Sequence, residues 1–195
     1  MSINRRQLIA GSASFAGAVM FGAPAVLGQG KPRVVVIGGG AGGVTAAKYI
    51  AKDSAGAISV TLIEASPRYQ TCFHSNLYLG GVRDYASITH RYSALKKHGV
   101  TVVNGLAAKI DRDKKEVILA NGKKLSYDRL VVSPGIDLKY DSVPGWSQAA
   151  EKVMPHAWKP GAQTLLLKSR LDAVPNGGVI VMIAPPNPYR CPPGP

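Results

Sequence analysis

The chain has 195 residues, 46% apolar and 18% charged. That fits an ordinary globular core former and excludes wholesale disorder. The formal net charge is +13, but lysines and arginines come at most in pairs (Arg5-Arg6, Lys96-Lys97, Lys114-Lys115, Lys123-Lys124). With no dense basic stripe, no nucleic-acid partner is expected; a surface of this sign favours anionic substrates or an acidic protein partner.

The first element is a targeting segment. Asn4-Arg5-Arg6-Gln7-Leu8-Ile9 resembles a twin-arginine export motif, and Gln7 to Gly30 contains no charged residue. That stretch is mostly Ala, Gly and Ser with Pro24 inside it, whereas a spanning helix is normally richer in Leu, Ile and Phe. We therefore expect residues 1–30 to be a cleaved export signal, with Ala23-Pro24-Ala25 as one candidate site. The expected location is periplasmic, with no stable membrane anchor.

Val34-Val35-Val36-Ile37 is a short β-branched run that reads as a buried parallel strand. Gly38-Gly39-Gly40-Ala41-Gly42-Gly43 follows at once, then a helical stretch from Val44 to Ala51, then a second strand, Ser59 to Ile63, ending at Glu64. Pro67 to Asp84 is a polar, aromatic loop carrying Cys72, and Ile88 to His98 looks helical. Val100 to Val103 is the next strand. Lys109 to Tyr127 alternates and turns at Asn121-Gly122, a hairpin signal. Leu130-Val131-Val132 is a further buried strand, closed by Pro134-Gly135. Asp137 to Gly161 is irregular, Thr164 to Ala173 helical, and Val179 to Ala184 a last strand. That strand has no element after it to cover it, so we expect the chain to be the front part of a longer protein.

Strand, glycine loop, helix, strand and acid make a dinucleotide-binding unit. Gly38 permits the tight turn, Gly40 lets a pyrophosphate approach the backbone, and Gly43 lets helix and strand pack closely. The helix N-terminus offers unpaired N–H groups and a positive dipole end. Glu64, 21 residues after Gly43, is placed to accept ribose hydroxyls and to repel a 2′-phosphate, which disfavours NADP. The bland alternative is a glycine-rich turn with no ligand.

The glycine pair Gly42-Gly43, and the strand ending Ser133-Pro134-Gly135, look like the FAD site of two-dinucleotide flavoproteins. The second motif of that superfamily usually ends Ala-Thr-Gly; here only Gly135 is retained. At Arg68-Tyr69-Gln70-Thr71-Cys72-Phe73-His74-Ser75-Asn76 the chain resembles the flavoprotein subunit of flavocytochrome c sulfide dehydrogenase, and the resemblance extends to Arg190-Cys191-Pro192-Pro193-Gly194-Pro195. It implies that Cys72 is bonded through sulfur to the 8α-methyl of FAD. The nucleophile for that bond is a thiolate, which Arg68 or His74 would favour. It also implies that Cys191 is half of a redox-active disulfide whose partner lies beyond Pro195. Sulfide attack on that disulfide would give a persulfide, with electrons leaving through the flavin. The alternatives at these positions are a buried, inert Cys72, a Cys72–Cys191 structural bridge, or a free thiol.

Lone His74, His90, His98 and His156 show no metal-ligand spacing, and His156 reads as a loop or interface residue. No Cys-x-x-Cys-His site is present, so the resemblance implies haem c on a c-type cytochrome partner subunit. The expected architecture is α/β: a Rossmann-like, three-layer FAD-binding domain (residues 31–145) with a parallel sheet and a β-meander, then the start of a second NAD(P)H-like domain (residues 146–195). The expected function is FAD-dependent sulfide oxidation with transfer to cytochrome c. The alternatives are a sulfide:quinone oxidoreductase and an FAD-binding fragment impaired because the second redox cysteine is absent.

Overall fold

The computed structural model describes residues 30–186. The export segment up to Gln29, and Cys191, lie outside the described residues.

Four parallel strands form the central sheet: β1 (Arg33–Ile37), β2 (Ser59–Glu64), β5 (Val100–Asn104) and β9 (Arg129–Val132), in the order β5-β2-β1-β9. Helix α1 (Ala41–Asp53) makes the crossover from β1 to β2. Between β5 and β9 the chain builds an antiparallel meander of β6 (Ala107–Asp111), β7 (Glu116–Leu119) and β8 (Lys124–Ser126). The β7–β8 connection contains Asn121-Gly122, where Gly122 takes φ +82°, as a tight hairpin requires.

Strand alternation sorts β1 between two cores. Val34 and Val36 point toward α1 and join Ala47, Ala51, Val60, Leu62, Tyr92, Leu95 and Val100. Val35 and Ile37 point the other way, to Ile63, Val117, Leu119 and Tyr127 under the meander. The result is the three-layer arrangement of helix, parallel sheet and meander. Val36 and Leu62 are fully buried, each contributing about 1.5–3 kcal/mol of apolar burial. At the strand starts Asp128 grips β1: its carboxylate accepts the Arg33 backbone N–H at 2.6 Å and the guanidinium at 3.2 Å.

Three expectations are corrected. The Pro67–Asp84 stretch is not wholly loop: it contains β3 (Arg68–Gln70) and the short helix α2 (Ser75–Leu79). The Ile88–His98 stretch is not one helix. A 3-10 turn ends at Ile88, β4 (Thr89–Arg91) pairs antiparallel with β3, and a 3-10 helix runs Tyr92–His98. Pairing across twenty residues outweighs the local helical pattern there. Finally, Val179 to Ala184 forms no strand. Val179 to Ile183 are 61–86% exposed, and no described strand lies alongside to supply the ladder that a parallel strand needs. After β9 the chain is irregular until helix α3 (Ala162–Asp172).

Candidate functional site

The connection from β1 goes to β2 on one side, while β9 lies on the other. The crevice at the carboxyl ends of β1 and β9 is therefore a topological switch point, where open α/β sheets bind ligands. Gly38 and Ser133-Pro134-Gly135 meet there, and the Ser133 N–H donates to the Ile37 carbonyl at 2.8 Å.

The glycines of the loop answer to different demands. Gly38 has φ +99°, and a Cβ on it would sit 1.9 Å from the Ser133 carbonyl oxygen. A Cβ on Gly43 would sit 1.9 Å from the Gly38 carbonyl oxygen. Those two glycines are required by packing alone. Gly40 is different: a Cβ there would meet nothing within 4 Å. No described residue asks for glycine at 40, and the loop is open on that side. Gly40 also precedes the first turn of α1 with no side-chain cap and no acidic residue in that turn, leaving amides and a positive dipole end open to an anion. Gly135, at φ +84°, holds a left-handed turn that other residues adopt at a cost.

Glu64 closes the other side. Its Oε2 accepts the Gly39 N–H at 2.5 Å and its Oε1 the Ser66 N–H at 2.8 Å. Each carboxylate oxygen keeps lone-pair capacity for a hydroxyl. Asn104 steadies this end by donating to the Glu64 and Ala65 carbonyls, both at 3.1 Å. Beyond it an open groove of about 540 Å³ is lined by Pro67, Arg68, Arg91, Tyr92, Lys96 and Asn104, among others, three of them cationic.

Cys72 is exposed, with no disulfide partner among the described residues. Its turn is fixed from within: the Ser75 hydroxyl donates to the Cys72 carbonyl at 2.8 Å and the Thr71 hydroxyl to the Phe73 carbonyl at 2.7 Å. His74 takes φ +65°, an uncommon left-handed conformation for a side chain with a Cβ. Tyr69, in β3 just before this turn, is partly buried against the core beneath α1. Burial pushes the Tyr69 phenol up, the Cys72 thiol adds to that, and the Ala41 backbone amide at the start of α1 opposes it.

Gly38, Gly40, Gly43, Glu64 and Gly135 thus gather around one crevice, while Cys72 lies on the turn that follows β3. Sequence reasoning missed Gly39, Tyr69 and Tyr92. The signal at 39 was a glycine where the GxGxxG pattern accepts any residue: a Cβ there would lie 2.6 Å from the Tyr92 hydroxyl and 2.8 Å from Glu64 Cγ.

A second cluster lies outside this site. Glu151 is buried and His156 half-buried, with Nε2 and Oε1 3.0 Å apart. His156 Nδ1 accepts the Trp158 N–H at 3.2 Å, so the ring proton resides on Nε2 and is donated to Glu151. Tyr140 donates to the same carboxylate oxygen at 2.8 Å. Burial holds His156 below its ordinary value, Glu151 pulls it upward by charge and by hydrogen bond, and Lys159 adds to the depression.

Residues 32–164 match the model of the pyridine nucleotide-disulphide oxidoreductase family, which defines the class: the chain belongs to that family. Within it, residues 164–195 match the central region of the sulfide dehydrogenase (flavocytochrome c) flavoprotein chain. The flavoprotein chain of that name from Chlorobaculum thiosulfatiphilum is 51% identical over 47 residues, 24% of this chain and 96% of the relative. The particular group is therefore the flavocytochrome c sulfide dehydrogenase flavoprotein, which implies FAD as cofactor. The mitochondrial sulfide:quinone oxidoreductase of Mus musculus is 31% identical over 115 residues, 58% of this chain. The chain spans about a quarter of that relative's length. Among solved structures, the sulfide:quinone oxidoreductase of Aquifex aeolicus superposes with TM-score 0.59 at 26% identity, covering 72% of this chain and 32% of that one. The putidaredoxin reductase of a putidaredoxin complex, at 21% identity and TM-score 0.58 over 73% of this chain and 34% of that one, shares the fold.

Proposed function

We propose that this chain is the FAD-carrying part of an exported sulfide-oxidising enzyme that passes electrons to a c-type cytochrome subunit. The observation that carries the reading is the 51% identical match to a flavocytochrome c flavoprotein chain. The site is compatible with it. Gly38 and Gly43 shape the cradle, Gly40 leaves room for a pyrophosphate, the amides of α1 face it, and Glu64 retains acceptors for ribose hydroxyls. When bound, FAD supplies a two-electron acceptor able to return electrons singly to a cytochrome.

The chain's own residues would do the rest. Cys72, exposed on its pinned turn, would anchor the flavin through a thioether. Cys191 would hold the sulfur of the substrate: sulfide attacks the disulfide, a new S–S bond forms on Cys191, and the partner cysteine leaves as thiolate. A second sulfide removes the outer sulfur as hydrodisulfide and leaves Cys191 as a thiol; re-forming the disulfide from the two reduced cysteines releases an electron pair, for which FAD, when bound, would supply the acceptor. Arg5-Arg6 and the uncharged stretch after them support export of the folded protein to the periplasm.

The likeness to sulfide:quinone oxidoreductases favours a quinone as the rival acceptor. A sulfide-dependent reduction assay separates the two. The proposal expects faster reduction of cytochrome c than of a soluble quinone; quinone reduction with an inert cytochrome c would overturn it.

A further inference from the structure

Tyr92 opens the 3-10 helix before β5 and is buried in the core beneath α1. Its ring forms part of the groove beyond Glu64. Its hydroxyl donates to the Gly39 carbonyl at 3.1 Å, a hydrogen bond between residues 53 apart in the chain. The opposite polar end of the same residue is held too, because the Gly39 N–H donates to Glu64 Oε2.

These two bonds fix two successive peptide planes. Glu64 holds the plane joining Gly38 to Gly39. Tyr92 holds the plane joining Gly39 to Gly40. A trans peptide is flat, with C=O and N–H pointing in opposite directions. Fixing the Gly39 carbonyl therefore fixes the direction of the Gly40 N–H, and Gly40 is the uncapped N-cap of α1, where a Cβ would meet nothing within 4 Å. The glycine at 39 follows: its missing Cβ is where the phenol and the Glu64 side chain close in.

We infer that Tyr92 is a positioning residue for cofactor binding: its hydroxyl, through the Gly39 carbonyl, aims the Gly40 amide at the pyrophosphate of FAD. This rests on the FAD reading above. Burial first, then the Glu64 charge and Tyr69, push the Tyr92 phenol up to about 12. It therefore remains a protonated donor throughout the neutral range. A phenylalanine at 92 would keep the packing and lose only the donor.

The test uses the full chain carrying Cys72→Ala, so that any FAD binds reversibly whatever the chemistry at Cys72. Tyr92→Phe is added, and FAD and ADP, which share the pyrophosphate, are titrated against both proteins. Amide exchange at Gly39 and Gly40 is followed without flavin. Losing one buried hydrogen bond that orders the loop is expected to weaken FAD and ADP by about tenfold. Exchange should rise at Gly39 and Gly40 while the amides of β1 and β2 keep their protection. FAD affinity within about twofold of the Cys72→Ala background, or protection lost evenly across β1 and β2, would overturn the role. If the background protein takes up no FAD at all, the FAD reading falls and this role with it; equal binding by both proteins removes this role alone.

Discussion

The two halves of the described chain are held by different means. From Lys31 to Gly135 the backbone is locked by ladders, two apolar cores and glycines whose neighbours touch one another. From Ile136 to Gly161 there is no strand and no α-helix. That stretch is tied instead by side chains: Tyr140 and His156 onto Glu151, and Lys159 onto Asp137. A ladder spreads its stabilisation over many residues. A polar cluster concentrates it in one buried carboxylate, whose loss takes the shared acceptor from two half-buried donors.

The contrast breaks first at Gly43. Gly43→Ala forces a Cβ to within 1.9 Å of the Gly38 carbonyl oxygen, backbone against backbone. It should destabilise the domain by roughly 3–5 kcal/mol and abolish FAD retention, read by denaturant unfolding and by flavin absorbance. Tolerance of alanine there would mean that the loop is not built as described.

Glu151→Ala comes next. It should cost roughly 2 kcal/mol, about 1 for each of the two hydrogen bonds lost. Its exchange footprint should be confined to the stretch around Tyr140–Lys159, leaving β1 and β2 protected. A footprint covering the sheet would make the two regions one cooperative unit.

Gly135→Ala is milder. Nothing lies within 4 Å of the added Cβ, but φ is +84°, so about 1–2 kcal/mol of left-handed strain is expected in thermal unfolding.

The smallest effect is pH dependence from His156. Its folded-state pKa is lowered from 6.5, so the unfolded chain takes up the proton first. The stability it contributes is fully present above about 6.5 and fades as pH falls through that value. Protonation would also remove Nδ1 as acceptor for the Trp158 N–H. Tryptophan fluorescence of the Trp146–Trp158 region should change on acidification below pH 6.5, and a His156→Gln variant should lack that step.

The sequence foretold the first region well, for a physical reason. Buried parallel strands are continuous apolar runs, so Val34–Ile37 and Ser59–Ile63 identify themselves; Leu130–Val132 is a strand as expected but not a buried one, because β9 lies at the edge of the described sheet and leaves Val132 exposed. Gly38 and Gly43 announce a turn and a close approach that only glycine permits. What escaped were features that depend on distant partners. Arg68–Gln70 is polar and three residues long, a strand only because Thr89–Arg91 pairs with it. Val179 to Ile183 shows the converse: strand-forming residues without a ladder stay exposed. Tyr92 escaped because its partner is 53 residues away, and the one local trace was a glycine at 39, a position where the GxGxxG pattern asks for none. The cluster at Glu151 escaped too, since a carboxylate in an irregular stretch reads as solvated until Tyr140 and His156 converge on it.

The most direct test of the account is the flavin's attachment. The protein is denatured in acid, digested, and its peptides are weighed. The account predicts that yellow colour stays with the precipitate and that a flavin mass is found on the peptide containing Cys72. Complete release of flavin, with Cys72 recovered as an unmodified thiol, would contradict it.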